Sequence, residues 1–397
     1  MNTNRAEIIK GLHPRALESY LRFSYIAGDV GFFGEPLSYP VIRFAAEPEK
    51  PKEAYLRELR RILEKMLEEE RKVCDAAFLS SGVDSSLLAF GIRAKKTFSV
   101  AYEEDAFDEA ALAAEAAKKL GSEHHTVKIS PADYFDAVTE AMLARGTPTG
   151  DASYIALYLT AREAARHTAS VCSGEGPDEL FCGYRYYSRC LQNPAEDLWP
   201  KFNFIMDIGT HEFPELAVYE DQLFLRMNAF DLSRWMHGNI LPNLAAAAKG
   251  AGIGIRTPYM RQELRDFALA LPVRYKADRT MGKLLFREAA QDYTGAEIAW
   301  RAKRGFPVPV RRWMRQEPWK TRITDALTGT DARALLSAVD REGILNAFYA
   351  GTDDALWKQI WEMFVLIKWV DALKAGDIPS FAAAQRWRDR ICKAPLA

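Results

Sequence analysis

Between positions 74 and 172 short apolar runs alternate with helical patterns, and this alternation narrows the possible folds more than any other feature. Strand candidates span 74–79, 97–102, 124–129 and 169–172; helical stretches span 85–95, 108–120, 131–144 and 153–167. Strands and helices joined by such short connections predict an α/β fold, a parallel sheet with helices on both faces. In such sheets ligands sit beyond the C-terminal ends of the strands. Ahead of this block, Leu56, Leu59, Ile62, Leu63 and Met66 recur at helical spacing, with Pro51 suited to the first turn. The charged run 68–72 reads as the solvated end of that helix. Residues 1–50 mix aromatics and glycines around 25–34 and read as short strands and turns. After Asn193 strand signals nearly vanish, so a mostly helical C-terminal part is expected, with a flexible break at 250–254 and a rigid loop at 305–309. The chain therefore divides into an N-terminal segment (1–50), an α/β core (51–190) and a helical part (191–397).

Composition sets outer limits. At about 150 residues per domain, 397 residues allow two or three domains, and 48% hydrophobic with 27% charged residues excludes a disordered or fibrous chain. Lys+Arg number 53 against 54 Asp+Glu, so no overall basic excess exists to recruit nucleic acid. No apolar run approaches the roughly 20 residues of a membrane helix; the stretch 361–370 is broken by Glu362 and Lys368. The start, MNTNRAEIIKG, has no apolar signal region. Five cysteines, none in a C-x-x-C pair, fit a reduced, cytoplasmic protein. The adjacent His124 and His125 would point to opposite faces of a strand, a poor metal clamp, and read as ordinary strand residues.

Two loops carry chemistry. The strand ending at Leu79 runs into Ser80, Ser81 and Gly82, and a helix follows with Asp84, Ser85 and Ser86. Backbone N–H groups and hydroxyls so arranged at a helix N-terminus form an anion site, with phosphate the natural guest. A carboxylate inside that cradle implies a bridging cation, Mg2+ fitting best. The same residues would also serve as a plain helix cap, and the G-x-x-x-x-G-K-[ST] loop is absent. The second loop, Ser173-Gly174-Glu175-Gly176-Pro177-Asp178-Glu179, follows the strand 169–172. Alone it is an acidic turn capping a helix; beside the first loop, Asp84 and Asp178 could share a metal.

The first loop resembles the S-G-G-x-D-S loop of ATP pyrophosphatases, with Ser81 in place of a glycine. The second, SGEGPDELFCGY, resembles the signature of the asparagine synthetase family's synthetase domain. Further blocks keep that family's order from about residue 70 to 370: Phe98-Ser99-Val100, Phe107-Asp108-Glu109, Ile255-Arg256-Thr257-Pro258-Tyr259, Lys283-Leu284-Leu285-Phe286-Arg287-Glu288-Ala289, and Lys303-Arg304-Gly305-Phe306-Pro307 with Trp313. The resemblance implies a PP-loop, adenine nucleotide α-hydrolase-like core that uses ATP and Mg2+ to adenylate a carboxylate. By it, Asp84 and Asp178 hold the metal. Ser80, Ser81, Gly82, Ser85 and Ser86 cradle pyrophosphate, Val100 borders adenine, and Leu79, Ser173 and Gly174 line the nucleotide site. Lys283 and Lys303 contact phosphates, Lys303 also stabilising transition-state charge, and Glu175 stands by the acyl-adenylate to orient or deprotonate an amine.

Departures from the family fall elsewhere. The family usually opens with a glutaminase domain whose first residue is a catalytic cysteine. Here Asn2 is the second residue, fewer than eighty residues precede the first loop, and 17–36 resembles only the interdomain linker. The expectation is no glutaminase activity in this chain, with nitrogen from ammonia, a partner glutaminase or a substrate amine. Gly254, Met260-Arg261, Gly146-Thr147 and Cys182 differ from the family pattern, mostly where the acceptor acid would bind, so that acid need not be aspartate. Arg261 is a candidate carboxylate clamp, against an ordinary surface arginine. Primary amide formation, ligation to another amine, and ring closure of the β-lactam synthetase or lasso-peptide cyclase type all remain open. Glu175 favours the first, since β-lactam synthetases carry tyrosine there. An ATP-binding pseudoenzyme and a tRNA-thiolating pyrophosphatase are the other classes; the latter would want reactive cysteines and a basic surface. A homodimer is left open.

Overall fold

Successive residues of a strand point to opposite faces, and here each face meets its own apolar cluster. The computed structural model describes residues 5–45, 48, 50–102, 109–194, 196, 213–302 and 308–375. Its strands β1 (Ala76–Phe78), β2 (Lys96–Tyr102), β3 (Glu123–Ile129), β4 (Ser170–Cys172) and β5 (Gly254–Arg256) form one sheet in the order β3-β2-β1-β4-β5, and every described pairing in it is parallel. Ala76, Phe98 and Val171 join the cluster that includes Tyr134, Tyr154, Trp313 and Trp361. Ala77 and Cys172 join the opposite one, with Leu59, Leu63, Leu87 and Phe286. Both faces are thus covered, as a parallel sheet requires.

The helices between strands match the sequence pattern closely: α3 (Lys52–Arg71), α4 (Val83–Ile92), α5 (Glu109–Leu120), α6 (Pro131–Arg145) and α7 (Ser153–Ala164). Ser130 caps α6 through a reciprocal box with Asp133, satisfying N–H groups that the helix end leaves unpaired. Pro51 is the N-cap of α3, one residue ahead of its first turn.

Three expectations are corrected. The first fifty residues are not mainly strands and turns: α1 (Arg5–Gly11) and α2 (Pro14–Phe23) are helices, and a single bridge pairs Val30 with Pro36. Pro14 opens α2, where a missing N–H costs nothing. The second half is mostly helical as expected, and its short strand β5 extends the sheet beside β4. The stretch 250–254 is not a flexible break: Gly252, at φ 69°, ends the helix Leu241–Ala251, and Gly254 starts β5. Finally, Glu70 in the charged run is 2% exposed and grips two arginines. Most of the loop 305–309 lies outside the described residues.

Downstream, Leu223–Phe230, Asp231–Ile240 and Leu241–Ala251 run on as one helix whose middle ten residues are π-helical. The helix Trp357–Ala375 packs against α6. Its Glu362 accepts from the Ser24 hydroxyl at 2.5 Å, and the Glu362 carbonyl accepts from Tyr20 OH at 2.9 Å. Among the described residues no helix is long and apolar enough to cross a membrane, and Cys74, Cys172, Cys182 and Cys190 are free and buried.

Candidate active site

The C-terminal ends of β1 and β4, neighbours in the sheet, deliver the two loops side by side. After β1, Leu79 stays tied to the sheet through its N–H to Phe98 O, 2.8 Å. The loop then folds on its own hydroxyls. Ser80 N–H donates to Ser85 Oγ at 3.0 Å, Gly82 N–H donates to Ser80 Oγ at 3.1 Å, and the two hydroxyls lie 2.9 Å apart. Gly82 is the N-cap of α4, so Asp84 falls in its first turn. The Ser86 hydroxyl is fully buried with no hydrogen-bond partner among the described residues. Val100 sits half-buried on β2, paired with Val127.

The second loop leaves β4 at Ser173, whose N–H donates to Arg256 O at 2.8 Å. Gly174 lies against the start of α4: a Cβ there would stand 2.9 Å from Ser85 N. No side chain fits that gap, so glycine is what lets the loops touch. A short helix α8 (Pro177–Leu180) follows, with Asp178 and Glu179 in its first turn. Asp178 remains 16% exposed, whereas Glu179 is fully buried and accepts from Tyr184 OH at 2.5 Å. Burial first, then the Asp178 carboxylate, pushes the Glu179 pKa well up. Its acidic group is therefore structural, and Glu175 is the half-buried neighbour nearer solvent.

Asp84 and Asp178 converge on one cation. Lys283 Nζ lies 2.5 Å from Asp84 Oδ2 and 2.8 Å from Asp178 Oδ1, with Lys283 itself 1% exposed. Burial lowers the lysine's pKa, but the carboxylates of Asp178 and Asp84 outweigh it and raise the value above the ordinary one. Lys283 reaches this point because it caps the helix Leu284–Thr294 at φ 63° and its N–H donates to Phe181 O at 3.0 Å. The two carboxylates that meet at Lys283 are oxygen donors of the kind that suits a divalent ion. A Cβ on Gly183 would fall 2.1 Å from both Asp178 Oδ1 and Lys283 Cε. Gly183→Ala is accordingly expected to keep the fold but push these groups apart. If the dyad acts in nucleotide chemistry, ATP–pyrophosphate exchange should drop by about 10²-fold, the scale of a 1 Å misplacement; near-normal exchange would show that the spacing is not used.

Among the sequence-selected residues, those of the two loops and Lys283 come together. Lys303 lies outside the described residues. Arg261 is not a free clamp: it is taken by Glu69 and, at 2.5 Å, by Glu70, which Arg256 also holds at 2.5 Å. Its neighbour Met260 is the side chain near the loop, with its sulfur 3.0 Å from where a Cβ on Gly176 would stand. Three residues were not singled out for roles. Tyr259 OH donates to Asp84 O at 2.8 Å, Arg301 donates to Ser81 O at 3.4 Å, and Arg287 donates to Ala299 O and Arg301 O at 2.7 and 2.9 Å. Tyr259 and Arg287 lay within the family-like blocks, which was the available signal.

Comparison with known proteins settles the relationship. The family model described as asparagine synthase matches residues 54–371. The chain belongs to the asparagine synthase family. It is 26% identical over 392 residues to a protein of Mycobacterium tuberculosis, provisionally named a glutamine-hydrolysing asparagine synthetase, covering 83% of this chain and 60% of that protein. To asparagine synthetase 1, glutamine-hydrolysing, of Bacillus subtilis it is 27% identical over 301 residues, covering 61% and 47%. The corresponding enzyme of Gallus gallus is 27% identical over 243 residues, covering 57% and 38%. The chain thus spans three fifths or less of the length of these relatives. Cys182 stands at φ 56°, in the left-handed region that penalises any Cβ.

Proposed function

We propose that this chain is an ATP-dependent amide-forming ligase. A substrate carboxylate oxygen attacks the α-phosphorus of ATP and pyrophosphate leaves. An amine nitrogen then attacks the acyl carbon of the adenylate, AMP departs, and the amine proton passes to a base. The observation that carries this reading is the convergence of Asp84 and Asp178 on a single cation position beside the Ser80–Ser85 loop. Family membership adds that such chemistry belongs to this fold.

The residues divide the work as follows. Asp84 and Asp178 would hold Mg2+, which when bound offsets charge on the pyrophosphate. Ser80, Ser81, Gly82, Ser85 and Ser86, with Ser173 and Gly174, line the anion pocket; the buried Ser86 hydroxyl has hydrogen-bonding capacity to spare. Lys283 would offset phosphate charge beside the dyad, and Lys303 would stabilise transition-state charge. Glu175 orients the incoming amine and accepts its proton. Met260, buried beside Gly176, gives the acceptor side an apolar wall. The described part of residues 5–50 packs as two helices and a turn and holds no cysteine, so these residues supply no thiol for glutamine hydrolysis. Free ammonia, ammonia from a partner glutaminase, or a substrate amine is the nitrogen source in this reading.

The test is ATP–pyrophosphate exchange against a panel of carboxylic acids, aspartate included, followed by product mass with ammonium or candidate amines. Exchange that depends on one acid, with AMP and an amide as products, is the expected result. ATP binding without exchange for any acid would favour a nucleotide-binding pseudoenzyme and overturn the ligase reading.

A further inference from the structure

At the opposite end of the sheet from the two loops, three metal-ligating side chains meet. Glu123 and His125 stand two residues apart on β3, an edge strand, and so share a face. His124, on the other face, is occupied by Thr97 Oγ1 at 2.9 Å and Ser99 Oγ at 3.0 Å. The third group comes from the turn after α7: His167, three residues before β4 begins. One ligand atom from each of Glu123, His125 and His167 lies within 4.8 Å of the others. Glu123 Oε1 is 3.0 Å from His125 Nε2, an atom that is itself shut off from solvent.

The rings are held in place before any ion arrives. Phe98 stacks on His125 at 5.1 Å with the planes 14° apart, and the two imidazoles approach to 3.9 Å. Lys96 Nζ donates to His167 O at 2.7 Å, fixing the turn. Glu163 Oε1 lies 3.0 Å from His167 Nε2. A carboxylate there either orients the imidazole from behind, as second partners of metal-bound histidines do, or supplies a fourth ligand.

We propose that Glu123, His125 and His167 form a binding site for a zinc-like transition-metal ion. Two imidazoles with one carboxylate suit Zn2+ and its neighbours, whereas Mg2+ prefers oxygen donors and would stay with the aspartates. A metal here clips the edge strand to the α7–β4 turn across forty-two positions of chain. Its work is structural, because the site stands at the N-terminal end of the strands, away from the dyad. It does not depend on the proposed ligase activity.

The experiment is a Zn2+ titration of the EDTA-stripped, dialysed full chain by calorimetry in millimolar Mg2+, with thermal unfolding measured in parallel. One equivalent should bind, and the unfolding midpoint should rise with Zn2+. His125→Ala and His167→Ala should each weaken binding at least about 10-fold, while Asp84→Asn keeps the stoichiometry. Co2+ should give a tetrahedral absorption band that both histidine variants lose. If either alanine variant folds poorly, His167→Gln provides the same comparison. Absence of Zn2+ binding by the native chain, or equal binding by the histidine variants, overturns the site.

Discussion

Asp178→Ala yields a folded protein whose ATP–pyrophosphate exchange lies at least about 10³-fold below wild type, the upper scale for loss of one preorganised electrostatic group. Asp84→Ala does the same. Folding should persist because both side chains sit at the rim of the site, 18% and 16% exposed, and not in either apolar cluster. The backbone of the second loop is held independently, by Gly183 N–H to Asp178 O at 2.8 Å and Lys283 N–H to Phe181 O at 3.0 Å. Lys283 keeps one carboxylate in either variant. The isosteric Asp84→Asn and Asp178→Asn should be as inactive as the alanine forms, since charge and not volume is lost. Circular dichroism and the unfolding midpoint check the fold; radiolabelled pyrophosphate exchange checks the chemistry. Full exchange in any of the four would remove the shared-cation idea.

The second large effect concerns stability and has nothing to do with nucleotide. Glu362 is 1% exposed, and burial pushes its pKa from 4.5 to about 8; the Ser24 hydroxyl and, more weakly, Lys358 pull it back down. In the unfolded chain the group releases its proton near pH 4.5, while in the native protein it keeps it to about pH 8. The unfolded state therefore binds fewer protons across that window, and stability falls as pH rises through it. The loss reaches roughly 3–5 kcal/mol by pH 8 at about 1.4 kcal/mol per pKa unit. Glu362→Gln mimics the neutral form, keeps an acceptor for Ser24 Oγ and does not titrate. It should match wild type within about 1 kcal/mol near pH 4.5 and exceed it by several kcal/mol at pH 8.5, raising the unfolding midpoint by a few degrees. A difference in midpoint that stays constant across this range would mean Glu362 is already ionised in the native protein.

The alternation at 74–172 was readable because short runs such as Ala76–Phe78 and Ser170–Cys172 sit between longer helical stretches, and because Ser130 and Pro131 mark the start of α6 plainly. The meeting of Asp84 and Asp178 followed from the same logic, since loops at the ends of adjacent parallel strands must be neighbours. What escaped the sequence depends on distant partners. Lys283 was selected only through the family resemblance; its pairing with the dyad from 105 positions beyond Asp178 runs through a left-handed backbone residue, a conformation no local pattern announces. Glu70 looked solvated because its arginines, Arg256 and Arg261, lie 186 and 191 positions away. Strand β5 has three residues, too few for a period to show. Helices α1 and α2, of seven and ten residues, are shorter than isolated helices that hold together in water; packing against later parts of the chain stabilises them.

That last dependence bears on how the protein is made. Tyr20 is fully buried and bonds to Glu362, 342 positions later, and Phe32 packs on Trp369 with ring centroids 4.9 Å apart. A ribosome adds about 5–20 residues per second, so the leading segment emerges tens of seconds before its resting place exists. During that interval Tyr20, Phe32 and their neighbours face solvent or a chaperone, and the helix Trp357–Ala375 is the one that ends the wait.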